Sequence, residues 1–235
     1  MKTIIIIIVL LTATILIAVN TVPNPNITEV IVLRDITDNH LAQPNTNEIL
    51  SLFGLENKWN GGIFHFTTIT DVSYNQTEII KLEPRNEWLT FELDRDKEVK
   101  KFKNDISEIF TNSEKDIIGK KSTSVYAPTV NELNKLSKSK AQNRILLLYT
   151  NLMENNSNIS FYDNGTLSKL KTNPDSIQKY FESQVPLQKL NGIKIIMIYK
   201  PSDEKEDEDY KIVSEFYKRL FESKGAEVEI VANIN

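Results

Sequence analysis

Apolar positions along the chain follow two periodicities, and their alternation sets the expected architecture. Glu29 to Leu33, Arg144 to Tyr149 and Ile193 to Tyr199 are almost uninterrupted apolar runs. Runs of that kind are strands buried on both faces, the character of a parallel sheet. Gly61-Gly62 introduces Ile63 to Ile69, β-branched and aromatic, as a further strand, and Glu78 to Leu82 reads as its antiparallel neighbour. Trp88 to Leu93 reads as a segment that extends the sheet or crosses its edge. Glu227 to Val231 closes the chain as an edge strand.

Between the strands the spacing becomes helical. Val99, Phe102, Ile106, Ile109 and Phe110 recur on one face of a helix over Asp96 to Phe110. Shorter helices are expected over Pro44 to Phe53, from Pro128 to about Lys140, and over Pro174 to Gln184. A last helix from about Asp207 to Lys224 carries Tyr210, Val213, Phe216, Tyr217, Leu220 and Phe221 on one face and stops before Gly225. Leu152 to Leu170 reads as irregular, with Asn164-Gly165 as a turn. The acidic stretch Asp203 to Asp209 is expected to serve the N-terminus of the last helix through its dipole. Alternating strands and helices give an α/β, doubly wound (Rossmann-like), mostly parallel sheet with helices on both faces.

The first residues add a different pattern. An apolar run from Ile4 to Val19 follows Met1-Lys2-Thr3 and precedes a Pro-containing stretch. It reads as an export signal or a retained N-terminal membrane anchor over residues 1–20, followed by a linker over 21–28 and one domain over 29–235. The run is shorter than the roughly 20 residues that span a bilayer comfortably, and no small-x-small cleavage site precedes Thr21. Both forms put the domain outside the cytoplasm, periplasmic or secreted in one case and attached to the membrane in the other.

Composition narrows the chemistry. The chain has no cysteine and two histidines, which excludes disulfides, thiolate catalysis and zinc–cysteine sites and leaves little for His-based chemistry. His65, between Phe64 and Phe66, reads as structural. A formal net charge of −4 gives no reason to expect nucleic acid as a partner. What remains is oxygen chemistry at strand ends. Asp35, Thr37 and Asn39 follow the first strand, Ser122-Thr123-Ser124 precedes a helix, and Thr150-Asn151 follows a later strand. In an open α/β sheet these C-terminal strand ends share the edge at which ligands bind. One carboxylate with hydroxyl and amide oxygens suits a hard cation such as Mg2+. Asp35 and Asn39 equally suit the capping of a following helix.

Read together, these residues resemble the von Willebrand factor A domain family and its metal-ion-dependent adhesion site. The family's motif is Asp-x-Ser-x-Ser after the first strand, a Thr in a loop before a middle helix, and an Asp, usually as Thr-Asp-Gly, after the next central strand. Asp35-Ile-Thr37-Asp-Asn39 matches the first element, Thr123 the second with Ser122 and Ser124 as rivals, and Thr150-Asn151-Leu152 the third. Asn39 stands in place of a Ser and Asn151 in place of the Asp, which lowers the charge of the site and weakens metal affinity. The resemblance implies a protein-binding module, not an enzyme, in which Mg2+ at Asp35, Thr37, Asn39, Thr123 and Asn151 leaves a position for an acidic side chain of another protein. Asp35 and Thr150-Asn151 also resemble the first two motifs of haloacid-dehalogenase-like phosphohydrolases, with Asp35 as nucleophile. In that reading the usual general acid two residues later is replaced by Thr37.

Overall fold

Strand β1 (Ile27–Asp35) sends its side chains alternately to two cores, which fixes the layers of the molecule. Ile31 and Leu33 enter one core, Val30 and Val32 the other. The computed structural model describes residues 24–37, 43–69, 77–113 and 122–234. Asn39 and the apolar run 4–19 lie outside the described residues. Among the described residues no helix is long and apolar enough to cross a membrane.

Among the described residues the sheet has six strands in the order β3-β2-β1-β4-β5-β6, with β2 spanning Gly61–Ile69, β3 Thr77–Leu82, β4 Asn143–Tyr149, β5 Ile193–Ile198 and β6 Glu227–Val231. All neighbours pair parallel except β2 and β3, which pair antiparallel as the sequence suggests. Helices α1 (Thr46–Ser51) and α2 (Glu92–Ser113) cover one face. On the other lie α3 (Tyr126–Leu136), α4 (Asn164–Thr172), α5 (Pro174–Gln184) and α6 (Glu204–Glu222). The chain is therefore an α/β protein with a mostly parallel sheet between two helical layers. Leu146 and Leu148 of β4 join the α3 side, and Leu147 and Tyr149 the α2 side. Burial on both faces explains why these strands read as continuous apolar runs.

Gly62 shows how closely α1 and α2 sit on the sheet. A Cβ there would lie 2.8 Å from the Phe53 ring and 2.9 Å from that of Phe102. Those two rings meet edge to face, 5.2 Å between centroids, so the glycine opens the space that this aromatic pair fills.

Two expectations are corrected. Trp88 to Leu93 does not extend the sheet: Glu87–Leu89 forms a 3-10 turn and α2 already begins at Glu92. Asn86 caps that turn by accepting from the Trp88 N–H at 2.9 Å, and local capping diverts the segment from strand pairing. Asn164-Gly165 is not a hairpin turn but the opening of α4, capped by Asp163, whose carboxylate accepts from the Thr166 N–H at 3.1 Å. The acidic stretch behaves as expected at its start, where Asp203 caps α6 and accepts from the Glu206 N–H at 2.8 Å.

Candidate functional site

The strand order reverses between β1 and β4, and at such a switch point the following loops diverge and leave a crevice at the C-terminal ends of the strands. β1 delivers Asp35 to that crevice. The side chain is only 2% exposed and accepts from donors on both of its carboxylate oxygens. Oδ1 accepts from the Thr37 backbone N–H at 2.9 Å and from the Thr37 hydroxyl at 2.7 Å. That is an Asx-type turn, which folds the chain back just past the strand. Oδ2 accepts from the hydroxyl of Thr150, at the end of β4, at 3.0 Å. The bond thus spans the two strands that flank the switch point.

The loop before α3 brings the third member. The Thr37 and Thr123 hydroxyls are hydrogen-bonded to each other. Thr123 is held in a short antiparallel bridge with Asn155, its N–H donating to the Asn155 carbonyl at 2.8 Å and its carbonyl accepting from the Asn155 N–H at 2.9 Å. Asp35, Thr37, Thr123 and Thr150 are therefore joined by one continuous hydrogen-bonded path, although they come from three separate parts of the chain.

Asn151 sits beside Thr150, and its side chain bonds to the segment that follows it. Its Oδ1 accepts from the Met153 N–H at 2.9 Å and its Nδ2 donates to the Tyr162 hydroxyl at 3.3 Å. Between them, Leu152 takes a left-handed backbone with φ 61° while fully buried. A cleft of about 280 Å3 opens past Asn151, lined by Met153, Tyr162, Tyr199, Glu206 and Tyr210 among others. Asn39, the remaining expected site residue, lies outside the described residues.

Glu154 is the residue of this region that sequence reasoning missed. It is buried and accepts four hydrogen bonds: from the Ser124 hydroxyl at 2.8 Å, the Val125 N–H at 2.7 Å, the Tyr126 N–H at 3.0 Å and the Asn156 amide at 3.0 Å. Val125, the residue at the N-cap of α3, has no side-chain capping bond of its own. Glu154 supplies the cap from across the sheet edge and so fixes the loop that presents Thr123. Burial pushes its carboxyl above the ordinary range, against the downward pull of these donors. A lone Glu in a polar stretch carries no sequence signal for such a role.

His65 has an acidic partner that is near only in space. Its Nε2 lies 2.9 Å from Oε1 of Glu29 on the adjacent strand. Among the described residues no group of three or more His, Cys, Asp or Glu is placed to hold a metal ion. Among the described residues, Asp35 is the carboxylate on this hydrogen-bonded path, with the hydroxyl oxygens of Thr37, Thr123 and Thr150 around it. No protein-family model matches the chain, and no curated protein matches it.

Proposed function

We propose that the chain is an exported or membrane-anchored protein-binding module of the von Willebrand factor A type, with a weakened metal-ion-dependent adhesion site at the C-terminal edge of its sheet. The observation that carries this reading is the hydrogen-bonded path from Thr150 through Asp35 and Thr37 to Thr123. The path joins the loops that carry the three motif-like stretches, and it lies at the switch point where α/β sheets bind ligands, which supports the reading. The left-handed Leu152 adds support, because it stands where the family's Thr-Asp-Gly has its glycine, the residue best suited to that backbone.

The donors suit a hard divalent cation in kind, being all oxygen with one carboxylate. Mg2+ would be held by Asp35, Thr37 and Thr123, with Asn39 and Asn151 as the remaining candidates. It would supply an electrophilic position for an acidic side chain of a partner protein. Asn151 in place of a carboxylate leaves the site short of charge, so affinity is weak. Binding is favoured over phosphohydrolase chemistry because both oxygens of Asp35 accept hydrogen bonds, which lowers their nucleophilicity, and because Thr37 offers no general acid.

Titration calorimetry with Mg2+ and Mn2+ tests the metal. A weak, saturable isotherm is expected for the wild type and none for Asp35→Asn, which keeps the side-chain shape while removing its charge. Absence of heat in the wild type, or an isotherm unchanged in Asp35→Asn, would remove the metal from the proposal.

A further inference from the structure

Where the chain turns from β3 into α2, four large apolar side chains stand in solvent. Trp88 is 79% exposed, Leu89 85%, Phe91 84% and Leu93 69%. Scattered apolar residues are normal on a protein surface, but four within one six-residue stretch form a patch of the kind that marks an interaction site. The backbone beneath them is firmly held. The Arg85 N–H donates to the Trp59 carbonyl at 3.0 Å, and Asn86 caps the 3-10 turn. Fully buried Arg95 donates to the carbonyls of Lys58, Asn60 and Glu83 at 2.6, 2.6 and 2.9 Å. The framework itself holds these side chains outward.

The location of the patch matters as much as its composition. Leu82, at the end of β3, stands opposite Gly62, and Gly61 stands opposite Ile27 at the start of β1. The patch therefore lies at the N-terminal edge of the parallel strands, about 30 Å from Asp35 for a nine-residue strand at ~3.3 Å per residue. The chain enters at the same edge. The Asn26 carbonyl accepts from the Gly61 N–H at 2.8 Å, and the Asn26 N–H donates to Asn60 Oδ1 at 3.0 Å. Only residues 20–25 separate this point from the apolar run ending at Val19, and they reach no more than about 25 Å.

We propose that Trp88, Leu89, Phe91 and Leu93 dock on a lipid bilayer surface, seating the N-terminal edge of the domain on the membrane and turning the Asp35 edge away from it. The proposal rests on residues 4–19 serving as a retained anchor rather than a cleaved signal. Trp, Phe and Leu are the side chains that enter the headgroup and acyl boundary most favourably, and a tether of six residues keeps the patch within reach of it. Glu83 to Glu98 carries six carboxylates against three cations, so the surface it fits is zwitterionic, not anionic.

The test uses the full chain carrying Trp59→Phe, which leaves Trp88 as the only tryptophan, reconstituted into phosphatidylcholine vesicles. Flotation with the vesicles reads the anchor, and Trp88 emission reads the patch. Blue-shifted emission that brominated acyl chains quench is expected, and Trp88→Phe in the otherwise native chain removes the brominated-lipid signal from this position. The double variant Leu89→Ser, Phe91→Ser should still float but lose the quenching, and added phosphatidylserine should weaken it. A chain that floats while Trp88 emits as in water overturns the docking and leaves the anchor standing. A chain that does not float overturns both. Blue-shifted emission without quenching, together with crosslinking between copies, would assign the patch to self-association instead and overturn docking on lipid.

Discussion

Leu152 sets two local preferences against each other. An L-residue in the left-handed region costs about 1–2 kcal/mol, whereas full burial of a leucine contributes about 1.5–3 kcal/mol, so the side chain outweighs the strain it imposes. Leu152→Ala should cost about 2–5 kcal/mol by leaving a cavity without relieving the backbone. Leu152→Gly should cost about 1 kcal/mol less than the alanine variant, the reverse of the usual order. Denaturant unfolding of the two variants reads this directly, and a glycine variant less stable than the alanine variant would show that the strain is absent. At Glu29, burial pushes the carboxyl up, and the close His65 imidazole, the hydrogen bond from Ser139 and the charge of Lys81 more than reverse it. Its pKa is therefore lower folded than unfolded. The stability this contributes is fully present above the ordinary carboxylate range and is lost as pH falls through that range toward the lowered value. Glu29→Gln should flatten that part of the acid limb of a stability–pH curve, and an unaltered limb would contradict the pairing.

Among the elements, α2 does more than its apolar face suggests. Arg95 on its first turns is fully buried and gathers the carbonyls of Lys58, Asn60 and Glu83 with the carboxylate of Glu98. Arg95→Met should cost about 3 kcal/mol by leaving buried acceptors unpaired. Arg95→Lys should recover only part, because an ammonium lacks the planar fork that serves several acceptors at once. Thermal unfolding checks both, with a drop of about 2–4 °C expected per kcal/mol for a domain of this size. The helix itself was legible from Val99, Phe102, Ile106, Ile109 and Phe110, since periodicity reports burial. The role of Arg95 was not, because the three carbonyls it serves lie 12 to 37 residues away in the chain. The same holds for Glu154, whose capping of α3 acts across 28 to 30 residues. Trp88 to Leu93 misled for a related reason. Aromatic and aliphatic residues outside the core follow no burial pattern, and the Asn86 cap sets the local backbone.

At the scale of the whole molecule, the two edges of the sheet carry different chemistry. The C-terminal edge gathers hydroxyls and one carboxylate at the switch point, and the N-terminal edge gathers exposed Trp, Leu and Phe beside the point of chain entry. The layered α/β architecture and the antiparallel β3 were legible because strands buried on both faces read as continuous apolar runs and β2 and β3, neighbours in the chain, pair with each other. The convergence of Asp35, Thr37 and Thr123 was legible only as far as strand ends share an edge. That the Asn151 side chain bonds to Met153 and Tyr162 depends on the turn at Leu152, which no local pattern announces. The proposed cation site can be tested by substoichiometric Mn2+ added to the isotopically labelled protein, which broadens the amide signals nearest a bound ion. Loss of the Thr37, Thr123 and Thr150 signals first, abolished in Asp35→Asn, is the expected result. Broadening centred on Asp203 to Asp209, with Thr37 and Thr123 unaffected, would contradict it.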